Sequence, residues 1–286
     1  MPADITLGQL SNLLVYSAMA VYALAMVGYA LDSALAARPS ARPALAGVAV
    51  ALPRPERTGR VATSLTVLAF GLHASGVVLR AAAAGRVPWG NMYEFATTGA
   101  LAATAAYLFF MRRYPLRDLG AWVVGVVLLT LGLSVTVLYT PAGDLVPALD
   151  SYWLVIHVIA AIVSGGIFTV GALAAALYLL RRRSAATLER VVHVTHLFAF
   201  PLWTFAIIAG AIWAENAWGR YWGWDPKEVW SFVTWVLYAA YLHAQATAGW
   251  RGRRATWFAL AGYVAFVFNF FGVNMWITGL HSYAGV

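Results

Sequence analysis

Eight runs of apolar residues divide the chain, at roughly 12–33, 62–80, 95–111, 119–139, 152–180, 196–213, 229–247 and 255–277. Each is near the ~20 residues a helix needs to cross a bilayer. The pattern predicts an all-α, polytopic membrane protein of eight transmembrane helices, built as a single integral membrane domain over residues 1–286. The fifth run is long, and Gly165-Gly166 gives it a place to bend or tilt. The segment 34–61 contains Pro39, Pro43, Pro53 and Pro55 and reads as a flexible linker. No soluble domain and no internal repeat stands out.

Composition supports this reading: 62% of residues are hydrophobic and 10% charged, where a soluble domain carries nearer ~25% charged. The opening "MPADITLGQLSNLL" lacks a basic n-region and leads into a full-length run, so no cleavable signal is expected. Fifteen of the nineteen basic residues fall in loops 34–61, 112–118, 181–195 and 248–254. The positive-inside rule puts those loops in the cytoplasm and, with eight spans, both termini outside. The net charge of +8 is thereby explained without nucleic acid. The opposite face keeps Arg80, Arg86, Arg220 and Lys227. There is no cysteine. That excludes disulfides, thiolate metal sites, CxxC redox chemistry and CxxCH haem attachment within this chain, so any thiol involved belongs to a partner.

The segment 214–228, between the sixth and seventh runs, is the expected outer loop. Trp213, Trp218, Trp222, Trp224, Trp230 and Trp235 are six of the thirteen tryptophans, within 23 residues. Interfacial anchoring spreads tryptophan over all helix ends. This density points instead to an aromatic shelf for a planar ligand. Asp225, Pro226 and Glu228 read as N-cap, first helical residue and capping-box partner of the seventh helix.

"WAENAWGRYWGWDPKEVWSFVTW", Trp213 to Trp235, resembles the WWD signature of haem-handling proteins. Together with "PWGNMYEF" and the closing "GLHSYAG", the whole chain resembles the CcsA (ResC) family of system II cytochrome c biogenesis. The WWD stretch alone is shared more loosely with the CcmC and CcmF families. The resemblance implies a haem-binding protein of a bacterial cytoplasmic membrane, active on the extracytoplasmic face. It would move haem b outward and hold it for thioether attachment to the CxxCH of apocytochrome c. Implied partners are a CcsB (ResB) membrane subunit, apocytochrome c and thiol-reducing thioredoxin-like proteins. Tyr221, Trp218, Trp222, Trp224 and Asp225 match the WWD stretch.

Six histidines are present, and a neutral imidazole is an ordinary axial ligand of haem iron. His157 falls about five residues into the fifth run, roughly 8 Å deep, and His281 follows the outer end of the eighth. Spacing alone leaves open a hydrogen-bonded His157 and a solvated His281. The resemblance implies that these two are the outer haem ligands. His243 lies roughly 21 Å below the outer end of the seventh run. It matches the family's transmembrane histidine, an inner haem ligand whose second partner comes from CcsB. His73, mid-span, reads as a packing histidine, and His193 and His196 as residues of a wet helix end beside Arg190. Relatives carry a histidine near Arg86, so no ligand is transferred there. Arg86, Arg220 and Lys227, together with Arg80, are candidate partners for haem propionates, with lipid head groups as the competing partners.

The chemistry implied needs no side-chain nucleophile, because the substrate brings its own thiols. The protein's share is orientation. Rival readings are a haem exporter without synthase activity, a b-type electron-transfer subunit and a structural scaffold.

Overall fold

The structure, a computed structural model, describes residues 6–37, 55–143, 149–180 and 185–281. Within these it is all-helical: α1 Leu7–Ala36, α2 Pro55–Ala84, α3 Met92–Met111, α4 Gly120–Thr136, α5 Tyr152–Leu180, α6 Ala185–Trp218, α7 Pro226–Ala246 and α8 Arg253–Val267. A π-turn over Phe268–Gly272 carries α8 into a last short helix, α9, Val273–Trp276.

The chain is a multi-pass membrane protein. Six of its helices are long and apolar enough to cross a membrane: Leu7–Ala36, Arg57–Ala84, Arg117–Thr136, Tyr152–Leu180, Ala185–Trp218 and Arg253–Trp276. The expected count of eight is therefore met in helices but not in this property. The two exceptions, α3 and α7, carry Glu94 and the polar positions Lys227, Glu228 and Gln245. Helix α3 packs against α2, α4 and α5 through Ala96, Ala100, Ala103 and Tyr107, all buried. A helix wrapped by its neighbours has less need of lipid-soluble surface. Outward-facing Leu24, Val78, Leu129, Phe198 and Val264 are exposed, as expected where the solvent is hydrocarbon.

Helices also overrun the apolar runs. Helix α2 starts at Pro55 and α1 ends at Ala36, so the linker is shorter than 34–61, and its residues 38–54 lie outside the described residues. Helix α6 begins eleven residues before its apolar run and continues to Trp218, which shrinks the loop 214–228 to residues 219–225. Of the arginines used to orient the chain, those at 38, 42, 54 and 181–183 lie outside the described residues. Helix α5 runs unbroken through Gly165-Gly166. Gly166 is a close contact point with α3: a Cβ there would meet the Ala102 carbonyl carbon at 2.6 Å.

Many polar side chains inside the bundle are bonded internally, where the bilayer offers no water. Ser11 Oγ donates to the Gly76 carbonyl (2.7 Å), and Tyr22 donates to Thr104 (3.3 Å). The strongest such contact is at the end of the bundle that holds the 219–225 loop. Glu94, fully buried, takes Arg80 Nε at 2.9 Å and Arg86 Nη1 at 2.7 Å, plus the Gly90 N–H at 2.8 Å. This network joins α2, α3 and the 85–91 loop. Arg80 also reaches the Thr140 carbonyl, which brings in the segment after α4. Breaking a buried pair strands a charge and costs ~3–5 kcal/mol. Glu94→Leu is therefore expected to lower thermal stability in detergent by about that amount. A melting curve unchanged from wild type would contradict this role.

Candidate functional site

The site is built where α5, α6, the 219–225 loop, α7 and the tail after α9 meet. His157 projects from the second turn of α5. Its Nδ1 lies 2.7 Å from the Ala206 carbonyl on α6. A carbonyl only accepts, so Nδ1 carries the proton and Nε2 is the basic nitrogen. The ring fits because residue 210 is glycine: a Cβ there would meet His157 Nδ1 at 2.7 Å.

His281 arrives from the other end of the sequence. Its Nδ1 donates to Asp225 Oδ1 at 2.8 Å, which again leaves Nε2 as the basic nitrogen. Asp225 does more than the local reading foresaw. It caps α7 in a full capping box with Glu228, with Pro226 at the first helical position, as expected. Its other oxygen accepts the Leu280 N–H at 2.7 Å, so one carboxylate anchors the C-terminal tail to the start of α7. Burial works against the charged form. The bonds from His281, Leu280 and Lys227 outweigh it and hold the Asp225 carboxyl down to about 2. Burial also lowers the His281 imidazole below its ordinary value, with Asp225 opposing.

Trp213 links the two histidines. Its indole lies nearly parallel to the His157 ring, centroids 6.3 Å apart, and 5.8 Å from the His281 ring. The two imidazole centroids are thus within about 12 Å of each other. Trp218 packs on both Trp213 (4.8 Å) and His281 (5.0 Å). Around them opens a cavity of about 820 Å³, counted to its open mouth. His157, His281, Trp218, Tyr221 and Trp222 all line it. So do Trp213, from the counted tryptophan cluster, and Phe95, Trp203, Phe266 and Phe270, which were not singled out as ligand contacts. These sit inside apolar runs, where an aromatic facing a cavity looks like one facing lipid. The π-turn adds Asn269 and Phe270 to the wall; π-turns often accompany functional sites.

Other expected residues are elsewhere. Trp224 does not line the cavity. It is 67% exposed, packs on Trp222 (5.8 Å), and has φ +60°, a left-handed conformation uncommon for a non-glycine residue. Asp225 acts through His281 and does not line the cavity either. His243 sits in the last turn of α7, exposed on its outer surface, far from this cavity. His73 is fully buried beside Tyr22. Neither of its nitrogens has a hydrogen bond of normal geometry, the Thr97 backbone making only a looser approach. His196 is a correction. The early start of α6 carries it into the bundle, where it is fully buried among Phe168, Tyr238 and Tyr241, while His193 stays exposed. Arg80 and Arg86 are engaged by Glu94, and Arg220 is exposed and does not reach the cavity wall. Of the four outer cations only Lys227 lines it.

The donor set suits iron in a flat macrocycle. Two neutral imidazoles are each fixed through Nδ1, the outer-shell arrangement typical of metal-ligating histidine, and aromatic walls surround them. If Asp225 positions His281, replacing it by Leu should free the tail while Asn, which keeps a cap and an acceptor, should be milder. Limited proteolysis after Trp276 reads this out: faster cleavage in Asp225→Leu than in Asp225→Asn and wild type is expected, and equal rates in all three would contradict it.

Comparisons with known proteins agree with this picture. A family model described as cytochrome c assembly protein matches residues 89–281. The cytochrome c biogenesis protein CcsA of Guillardia theta is 37% identical over 235 residues, covering 70% of this chain and 77% of that protein. Its namesake from Prochlorococcus marinus strain MIT 9312 is 32% identical over 259 residues, covering 78% and 84%. Among solved structures, the cytochrome c haem lyase CcmF superposes with a TM-score of 0.68 over 95% of this chain at 21% identity. That likeness is one of fold, and this chain spans 48% of the CcmF chain.

Proposed function

The chain belongs to the cytochrome c assembly family, on its CcsA side, and from that premise we propose that it holds haem b in the His157–His281 cavity for covalent attachment to apocytochrome c. The role in cytochrome c biogenesis comes with the family. The observation that carries the finer reading is that two histidines from distant parts of the chain, both with Nδ1 tied back, line one aromatic cavity.

In this reading haem is the substrate, and its vinyl groups and iron supply the reactivity. Each CxxCH thiol of the apocytochrome adds S–H across one vinyl C=C, so no protein nucleophile is consumed. His157 and His281 orient the iron, while Trp213, Trp218 and Trp222 exclude water and support the ring. The two ligands differ in how they are held. His157 rides on a long packed helix. His281 rides on the C-terminal tail, which Asp225 bonds at Leu280 and at His281 itself, and is the ligand suited to yield to the histidine of CxxCH. The face carrying the 219–225 loop is extracytoplasmic in this account, in a bacterial cytoplasmic membrane. The positive-inside pattern supports that orientation.

His243 belongs to an inner site shared with a CcsB-like subunit. Its outward exposure near the far end of α7 fits a ligand completed by another protein. Thiol-reducing thioredoxin-like proteins would keep the acceptor cysteines reduced. The protein then acts as a haem lyase component with its partner.

Co-expression with the partner subunit and an apocytochrome tests the assignment. His157→Ala or His281→Ala should reduce holocytochrome by at least about tenfold, the scale of losing one ligand's orientation. Normal maturation and normal haem content in both variants would overturn it. Free haem outside the cell without covalent product, in the wild type, would favour the exporter reading.

A further inference from the structure

One cation in the cavity makes its side-chain hydrogen bond to a neutral amide and forms no direct ion pair among the described residues. Lys227 stands in the first turn of α7 and lines the cavity with His157 and His281. Its Nζ donates to Asn274 Oδ1 at 2.7 Å. The amide is oriented by its other end, since Asn274 Nδ2 donates to the Phe270 carbonyl at 2.7 Å, so the oxygen faces the lysine. No carboxylate pairs with Lys227 among the described residues.

The two acidic neighbours are engaged elsewhere. Asp225 accepts from His281, from the Leu280 N–H and from the Lys227 backbone N–H. Glu228 Oε2 accepts the N–H groups of Gly223 (2.8 Å) and Asp225 (3.0 Å). Asp225 acts on the Lys227 amine only through space, and a buried amine whose direct partner is a neutral amide is costly to charge until an anion joins it. Two bare acceptors on the same wall, Glu228 Oε1 and Asn269 Oδ1, are buried without donors and would repel an anion. They narrow the place for a carboxylate to the lysine.

Resting on the haem reading, we propose that Lys227 receives one propionate carboxylate of the bound porphyrin and so sets the in-plane orientation of the ring. The propionates and the vinyl groups occupy different edges of protoporphyrin. Fixing a propionate at Lys227 turns the vinyl edge to the far side of the cavity, where the peptide thiols must come. Arg80 and Arg86 do not compete for this task, because Glu94 holds both. Lys227 is thus a substrate-positioning residue.

Binding of haem and of haem dimethyl ester to the purified full-length protein in detergent, read by absorbance titration, tests this. Wild type should bind the diester more weakly, on the order of tenfold to a hundredfold, the scale of one charge-assisted hydrogen bond. Lys227→Met should bind haem as weakly as wild type binds the diester, with its diester affinity unchanged. Lys227→Arg should keep the discrimination. Asn274→Asp, which puts a carboxylate beside the amine, should weaken haem selectively, and guards against a Met variant that fails to fold. Equal loss on esterification in wild type and Lys227→Met, or no loss in wild type, would overturn the assignment while leaving the two histidine ligands standing. Failure of wild type to bind either compound would overturn the haem reading and this inference with it.

Discussion

The Asp225 carboxylate joins the first turn of α7 to a tail 55 residues further on, and the geometry of the site follows from that contact. One oxygen accepts from the Lys227 N–H and from His281, the other from the Leu280 N–H. A charge-assisted bond of this kind contributes ~1.5–3 kcal/mol. It is the contact that ties the tail directly to the first turn of α7, and it fixes the His281 ring through Nδ1 beside Trp213 and Trp218. His157 is secured differently, by a helix packed along α6 and a ring seated on a glycine. The cavity therefore has one imidazole carried by a long packed helix and one carried by the C-terminal tail and oriented through Asp225.

Charge distribution around the cavity follows from a second economy. The outer end of the bundle carries few cations, and Glu94 engages two of them to bind α2, α3 and the segment after α4 together. Arg220 stays exposed outside the cavity. The cation that remains facing the ligand space is Lys227, bonded to the Asn274 amide. Structural and ligand-directed cations are thus separated by whether a buried carboxylate bonds them directly.

Much of the architecture was legible because bilayer thickness and helical rise force long apolar runs. Helix ends were not, since α2 and α6 extend through polar residues that hydropathy reads as loop. That error moved His196 from an expected wet end into the aromatic core. The capping box at Asp225 was legible because its partners lie within three residues. The ties from Asp225 to His281 and Leu280 were not, because nothing local in "GLHSYAG" reports a contact across the fold. Trp213 stood in the counted cluster, but its position against both histidines depends on how α5, α6 and the tail meet. Trp224 shows the converse: it shares the cluster, yet its left-handed backbone turns it to the outside.

Electron paramagnetic resonance of the ferric haem-loaded protein tests the central claim most directly. The account predicts a low-spin signal of two imidazole ligands, converted to high spin when both His157 and His281 are replaced by glycine, and recovered on adding free imidazole. A low-spin signal that survives the double replacement unchanged would contradict it.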